Sequence, residues 1–267
     1  MIRHIAQLTL HDLRVRRTAL IGWGASLALT MIAFVAMFPS IAKIDYEKIA
    51  AQYPEDLMRA FGVESLSKIG TPGGFLDLEL FGVIMPLALI FLPIGMIAHA
   101  ITNDEENGYL TPLLALPIAR RSVMAAGCLS AVLAHLLAIV AIVVSAMAAS
   151  VVFGVGLPLS DILRSSFSTL PLGVFAAGIA ALAAGISSRR GLPTALAAGT
   201  LVAMYLLQVL AGFSGFFHNI RGISVFNYYN QWINGSIDWL PYFGILSVSA
   251  ALMFCGGRTF ARRDIRF

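Results

Sequence analysis

The sequence predicts an all-α membrane protein with six transmembrane helices. Hydrophobic residues make up 58% of its 267 residues and charged residues 12%, whereas an ordinary soluble domain has about 25% charged residues. Six apolar stretches reach the roughly 20 residues that a helix needs to span a bilayer, and their central parts contain no Asp or Arg, which are costly there. We expect one membrane domain over residues 1–267, with spans at 18–38, 80–101, 122–153, 167–187, 193–213 and 237–257.

The segment before the first span, residues 1–17, has a modest amphipathic pattern. This pattern predicts a helix that lies along the membrane surface; the alternative is a plain positively charged flank. A cleaved signal peptide fits less well, because the apolar region that follows exceeds the usual length of about 7–15 residues. The predicted apolar face comprises Ile2, Ile5, Ala6, Leu10 and Leu13, opposite Arg3, His4, Gln7, His11 and Arg14.

Lys and Arg are unequally distributed between the two sides of the predicted bundle. Twelve of the 18 lie on the side that carries both termini, and six lie in the longer loops of the other side. The positive-inside rule makes the first side cytoplasmic, which predicts a multi-pass protein of the inner (plasma) membrane with both termini in the cytoplasm. Because the basic residues flank the spans and form no patch with interleaved aromatics, we expect no nucleic-acid partner.

The longest segment between predicted spans is residues 39–79. Pro54 and Gly62 mark the start and end of a short helix within it. Asp77 and Glu79 stand at the outer mouth of the second span. We interpret these two residues as solvated flanking carboxylates or, in a sharper hypothesis, as a vestibule that attracts cations to a translocation pathway.

Two compositional patterns concern helix packing and the membrane surface. Ridges of small residues allow close helix packing in lipid, and we favour packing within the chain over a dimer face. An aromatic-rich last outer loop is typical of an interfacial belt. The ridges are Gly173, Ala177, Ala181 and Gly185 in the fourth span and Ala195, Gly199 and Ala203 in the fifth; the aromatic residues are Phe216, Phe217, Phe226, Tyr228, Tyr229 and Trp232.

The sequence contains no constellation of residues for catalysis. It has no G-x-x-x-x-G-K-[ST] loop for nucleotide phosphates, no dinucleotide fingerprint, and no H-E-x-x-H or G-x-S-x-G motif. His99 and His135 lie in or beside spans without an acidic residue at ligand spacing. We expect both to be buried and bonded to a backbone or hydroxyl group, with a place on a translocation pathway as the alternative. We therefore expect no metal, no cofactor and no enzymatic activity in this chain.

The segment between the second and third spans has the features of a partner-binding element. It begins with an acidic run, which the macrodipole favours at the start of a helix. Four leucines then supply an apolar surface, a proline stops the helix and two arginines anchor the next span. We predict a short helix that inserts into a groove of a partner; the alternative is a solvated loop. The residues are Asp104, Glu105, Glu106, Leu110, Leu113, Leu114, Leu116, Pro117, Arg120 and Arg121.

This segment also resembles a known family. Residues 104–121, D-E-E-N-G-Y-L-T-P-L-L-A-L-P-I-A-R-R, are similar to the E-x-G-T-x-x-x-L-L-x-x-P-x-x-R segment of ATP-binding-cassette permeases of the ABC-2 type, and residues 260–265, F-A-R-R-D-I, resemble their F-x-R-R-D ending. The six spans, the large first outer loop and the N-terminal surface helix also fit. Tyr109 in place of Thr or Ser, and Pro112 within the loop helix, depart from the pattern.

The resemblance implies a function and partners. Glu105, Gly108, Leu113, Leu114 and Pro117 match the coupling helix, which in this family docks into a separate ATPase subunit. The ATPase binds ATP and Mg²⁺, and its closure rocks a pair of permeases to export substrate. The expected function is therefore the non-catalytic membrane subunit of an ATP-driven exporter, with ABC ATPase subunits and a second copy, in a homodimer, as partners. A self-sufficient channel or ion-coupled carrier is the alternative, and the scarcity of ionisable groups at the midplane argues against it.

Overall fold

The computed structural model describes residues 2–43, 70–189 and 191–263, and within these ranges the secondary structure is entirely helical. The short helix predicted at residues 54–62, and residues 264 and 265 of the F-A-R-R-D-I segment, lie outside them. In chain order the helices are α1 Ile2–Val15, α2 Arg17–Ile41, α3 Pro72–Glu106, α4 Leu110–Leu114, α5 Arg120–Phe153, α6 Leu159–Ser168, α7 Leu170–Ile186, α8 Leu192–Leu210, α9 Gly215–Ile220, α10 Val225–Asn234 and α11 Trp239–Arg262.

Six units in the described part of the chain are long and apolar enough to cross a membrane: α2, α3, α5, the continuous α6–α7, α8 and α11. This confirms the predicted fold class. About 72% of the most apolar stretch of α6–α7 and 61% of that of α3 are buried inside the chain, against 17% for each of α2, α8 and α11. Helices α3 and α6–α7 therefore form the centre of the bundle, and α2, α8 and α11 form its periphery.

Helix α1 precedes the first span and packs one side against α5. Thr9 is buried, Leu8 and Leu13 are half-buried, and Arg3 and Arg14 are exposed. The predicted amphipathic helix is therefore present. Its buried side differs from the predicted face, because Leu10 is 52% exposed.

Helix α3 contains two π-helical stretches, Leu76–Ile84 and Ala98–Asn103. A π turn pairs each amide with the carbonyl five residues before it and so takes in one extra residue. The core-facing side chains follow this wider turn, since Leu80 and Met85 are both completely buried although they are five residues apart. The π turn thus keeps one side of the central helix directed into the bundle.

Helices α7 and α11 pack backbone against backbone through small residues. A Cβ atom added to Gly185 would lie 2.4 Å from the Gly256 carbonyl oxygen, and one added to Gly256 would lie 2.5 Å from that of Ala181. This contact confirms that the ridge of the fourth span packs within the chain. The ridge of the fifth span differs, because all three of its residues lie on the exposed side of α8. These are Ala195, Gly199 and Ala203.

The two ends of the bundle differ in chemistry. At one end, which we call the basic end, Arg16 and Arg263 lie beside the C-terminal ends of α3 and α11, and Arg120 lies at the N-terminal end of α5. The other, which we call the aromatic end, carries ring contacts such as Phe38 with Phe75 at 5.9 Å and Trp232 with Tyr242 at 5.1 Å between ring centroids. The starts of α3 and α11 therefore lie at the aromatic end, and their ends lie at the basic end.

Helix α10 inserts its aromatic residues into the bundle. Phe226, Tyr229 and Trp232 are at most 1% exposed, and the Tyr229 hydroxyl donates to the Phe81 carbonyl at 2.6 Å. The prediction of an interfacial belt is therefore wrong for these three residues. Their spacing of three residues places them on one side of a helix, which packs against α3 at the aromatic end.

Candidate functional site

The segment that resembles a coupling element connects α3 to α5 at the basic end. Helix α3 ends with a left-handed glycine, Gly108, at φ +73°. The Tyr109 amide donates to the Asp104 carbonyl at 2.8 Å, and the Gly108 amide donates to that of Glu105 at 3.0 Å. This pair of bonds is the Schellman arrangement that closes a helix, and glycine adopts its left-handed position at little cost. The chain then reverses into the five-residue helix α4.

The acidic run lies at the end of α3, and its predicted place at the start of the loop helix is wrong. Carboxylates oppose the macrodipole at a helix C-terminus, so these charges require nearby cations. Arg16 lies 3.7 Å from Asp104, and Arg263 forms an ion pair with Glu105. The two arginines lie at the start of the first span and at the end of the last. Their positive charges stabilise the carboxylates that the macrodipole disfavours.

Arg263 is the centre of a cluster that joins four helices. Its Nη2 donates to the Glu105 carboxylate of α3, and its Nη1 donates to the Ala184 carbonyl of α7 at 2.8 Å. The guanidinium also lies 5.3 Å from the centroid of the Phe260 ring on α11. Arg120, the first residue of α5, donates to the Arg263 carbonyl at 2.7 Å. The ends of α3, α5, α7 and α11 therefore meet at one residue.

Helix α1 docks beside this cluster through polar contacts with α5. The Thr9 hydroxyl is 3.4 Å from the Ala126 carbonyl, and the Ser130 hydroxyl donates to the Asp12 carboxylate at 3.3 Å. Burial raises the pKa of Asp12, although the positive charge of Arg16 opposes this shift. A cleft of about 160 Å³ separates α1 from α4. The N-terminal helix is therefore a neighbour of the coupling segment.

The leucines of the coupling segment are unequally exposed. Leu110 is 2% exposed and belongs to the core, and Leu113 and Leu114 are half-buried. Leu116 is 54% exposed and Tyr109 is 67% exposed. The apolar surface open to a partner is therefore formed by Tyr109 and Leu116 with the rims of Leu113 and Leu114. The other predicted members of the segment, Glu106, Gly108, Pro117 and Arg121, are exposed, and Arg120 is half-buried.

Asp77 is buried at the aromatic end and is not a solvated flanking carboxylate. It accepts from Arg164 of α6 at 2.7 Å and from the Ser165 hydroxyl. A carboxylate that is paired in this way is unavailable to attract cations. Glu79, two residues later, is exposed.

The two histidines occupy different environments. His135 of α5 is completely buried, 3.4 Å from the Thr169 hydroxyl, which agrees with the expectation for a buried histidine. Its ring covers Gly173 so closely that an added Cβ would lie 2.3 Å away. His99 lies in the second π-helical stretch of α3 and is exposed. The expectation that it is buried is therefore wrong.

Several residues of these clusters were absent from the predicted site. Arg263 appeared only within the F-A-R-R-D-I segment, and Arg16 and Arg164 were only counted among the basic residues that set the topology. A basic residue at the end of a span is ordinarily explained by topology, so composition alone does not distinguish an ion-pair partner from a flank. An acidic residue near a span end, such as Asp77 or Glu105, is the available signal that a basic partner is required.

Comparison with known proteins places these features in a family. Residues 11–261 match the family model described as "Multidrug efflux system permease Rv1217c, C-terminal domain". The chain is also 28% identical over 192 residues to the multidrug efflux system permease protein Rv1217c of Mycobacterium tuberculosis (strain ATCC 25618 / H37Rv), in an alignment that covers 67% of this chain and 34% of that protein. The chain thus spans about a third of the length of this relative. Since the family match includes all eleven helices from within α1 to within α11, the chain belongs to the family of the Rv1217c permease C-terminal domain.

Proposed function

We propose that this chain is the permease subunit of an ATP-driven exporter of the ABC-2 type, a homodimer in the plasma membrane with both termini in the cytoplasm. Family membership supports a role in transport, and the relative is named a multidrug efflux permease. We therefore propose small apolar compounds as cargo. ATP and Mg²⁺ bind to separate ABC ATPase subunits, and residues 1–267 act as one membrane domain that forms the translocation pathway.

One observation carries the coupling proposal: the loop at the basic end is fixed on one side and apolar on the other. Glu105 and Asp104 are paired with arginines from other helices, while Tyr109 and Leu116 are 67% and 54% exposed. A loop transmits force only if it is held firmly by the bundle. Exposed apolar side chains on such a loop suit burial in a cleft of a partner.

The test is reconstitution with the ATPase subunit that co-purifies with the tagged chain from its native host. Vesicles containing both proteins are expected to move ethidium or Hoechst 33342 in an ATP-dependent and vanadate-sensitive manner, and the chain is expected to stimulate ATP hydrolysis by its partner. The chain alone should move neither dye under a proton or sodium gradient. Flux from the chain alone would contradict the proposal and support the channel or carrier alternative.

For the homodimer, we propose the small-residue ridge of α8 as the contact between copies. No described heavy atom lies within 4 Å of a Cβ added to Gly199 of α8 or to Gly244 of α11, and both glycines are exposed. Gly199→Phe is expected to halve the mass of the purified particle in native mass spectrometry, because a large side chain prevents close helix contact. Gly244→Phe is the matched control. A dimer that survives Gly199→Phe would exclude this contact.

For the pathway, we propose Glu79 and His99 as the ionisable groups that face it, because both are exposed on the central helix α3 within the apolar span. Asp77 and His135 support the bundle from inside. His99→Ala is expected to change the relative transport rates of ethidium and Hoechst 33342, whereas Asp77→Asn is expected to lower both rates together. Unchanged selectivity in His99→Ala would remove His99 from the pathway.

A further inference from the structure

We propose that Glu105 and Arg263 form a clamp that transmits movement of the coupling loop to α7, α11 and α5, and that both are positioning residues for transport. This inference rests on the proposed function and deepens it by naming the route from the loop to the spans. The loop is covalently joined to α3 and α5. The clamp adds two further helices that the chain connectivity does not provide.

The hydrogen bonds of Arg263 link Glu105 rigidly to three other helices. The guanidinium of Arg263 bonds through one nitrogen to Glu105 and through another to the Ala184 carbonyl, 2.8 Å away. Because the guanidinium is planar and rigid, its two partners are fixed relative to each other. The backbone carbonyl of the same residue accepts from Arg120 at 2.7 Å. A displacement of Glu105 therefore displaces the ends of α7, α11 and α5.

Burial shields this contact from salt better than the neighbouring ion pair. The side chains of Arg263 and Glu105 are 13% and 4% exposed, so salt screens their attraction weakly. In the pair of Arg16 with Asp104 the separation is 3.7 Å and the carboxylate side chain is 30% exposed. Glu105 precedes the Gly108 turn by only three residues, so the clamp is also the contact nearer to the loop.

The position of Glu105 changes its expected role. The resemblance to ABC-2 permeases implies a residue that docks with the ATPase, but a side chain that is 4% exposed and paired with Arg263 presents little surface to a partner. We therefore expect its loss to separate transport from ATP hydrolysis and to leave docking intact. The exposed docking residues, Tyr109 and Leu116, are untouched by such a change.

A double-mutant cycle on the reconstituted complex tests the clamp. The variants are Glu105→Gln, Arg263→Gln and the double variant, with exposed Arg262→Gln as the matched control. The measured quantity is the amount of ethidium moved per ATP hydrolysed, together with the melting temperature of each permease. Each single variant is expected to lower this ratio about tenfold, a typical coupling between sites, and to retain stimulated ATP hydrolysis. The double variant should be no worse than the poorer single one, because both changes break one contact.

Two results would overturn the clamp. In the first, the losses of the two single variants multiply in the double variant. In the second, transport and ATP hydrolysis fall together with the melting temperature and their ratio stays constant, as for a purely structural pair. If a glutamine variant fails to fold, Arg263→Lys takes its place, because it retains the charge but not the two-donor geometry. Arg263→Lys is expected to lower the amount of ethidium moved per ATP by less than about tenfold. Failure of the proposed function itself is distinct, because the unmodified chain would then not stimulate the ATPase.

Discussion

The Asp77 carboxylate of α3 accepts a 2.7 Å hydrogen bond from the Arg164 guanidinium of α6 at the aromatic end. The two side chains are unequally buried, at 9% exposed for Asp77 and 30% for Arg164. The consequences of losing each partner are therefore unequal. A charge left alone in the interior is costly, whereas a charge near the surface turns towards water.

Replacement of Arg164 is expected to be the more harmful of the two changes. Arg164→Met leaves the buried Asp77 carboxylate without its cation and should lower the free energy of unfolding by about 3 kcal/mol. Asp77→Asn leaves a half-exposed arginine and should cost about 1 kcal/mol, comparable to one lost hydrogen bond. Chemical unfolding in detergent measures both values. Equal losses, or the reverse order, would contradict the assignment of Asp77 as the buried member.

Two leucines of the coupling segment are expected to have opposite phenotypes. Leu116→Asp changes an exposed side chain and should alter the free energy of unfolding by no more than about 0.5 kcal/mol, while it lowers the ATPase stimulation by the chain. Leu110→Ala empties a core position and should cost roughly 2–5 kcal/mol. Stimulated ATP hydrolysis and thermal unfolding, measured on both variants, separate docking from packing. Normal stimulation by Leu116→Asp would remove Leu116 from the docking surface.

The contact between α7 and α11 is expected to tolerate no added methyl group. In Gly185→Ala the new Cβ would lie 2.4 Å from the Gly256 carbonyl oxygen, and overpacking of this kind costs about 1–3 kcal/mol. Gly256→Ala should behave alike. Gly95→Ala in α3 is the control, because no described heavy atom lies within 4 Å of its added Cβ. If Gly185→Ala melts at the wild-type temperature, the two backbones do not approach as closely as described.

Asp12 is expected to make stability depend on pH. Its pKa is raised above the ordinary 3.8 by burial. At a pH just above 3.8, the Asp12 carboxyl group therefore binds a proton more readily in the folded chain than in the unfolded chain. Its contribution to stability therefore grows as the pH falls from neutral towards about 4. Asp12→Asn, which is neutral throughout, should melt higher than wild type at pH 7, and this difference should shrink on acidification. A difference that grows on acidification would indicate a lowered pKa instead.

The spans were predictable because their signal is local. About 20 consecutive apolar residues identify a membrane helix without knowledge of its neighbours. The ion pairs were not predictable from one sequence, since Asp77 and Arg164 are 87 residues apart and Glu105 and Arg263 are 158 apart. The shared burial of Leu80 and Met85, five residues apart, also gives no signal in the sequence, because a π turn replaces the regular period that helical patterns assume.

The coupling segment shows how a correct rule can give a wrong position. The macrodipole favours an acidic run at a helix start, but the run stands at the end of α3 because distant arginines neutralise it. Asn107 and Gly108, which follow the run, carry the opposing signal of a helix C-terminus. The predicted short helix is present as α4, and the turn chemistry, more than the charges, fixes where it begins.

The place of Arg263 after the sixth span sets a condition on biogenesis. Chains are synthesised from the N-terminus, so α3 enters the bilayer with Glu105 while its partner, 158 residues later, has yet to be translated. Until α11 inserts, this carboxylate lies at the lipid boundary without its cation, where an unpaired charge is costly. Insertion of the last span is therefore the step that completes the ion pair at the basic end. A chain stalled before this step retains an unpaired carboxylate at the membrane boundary, where membrane quality control could recognise it.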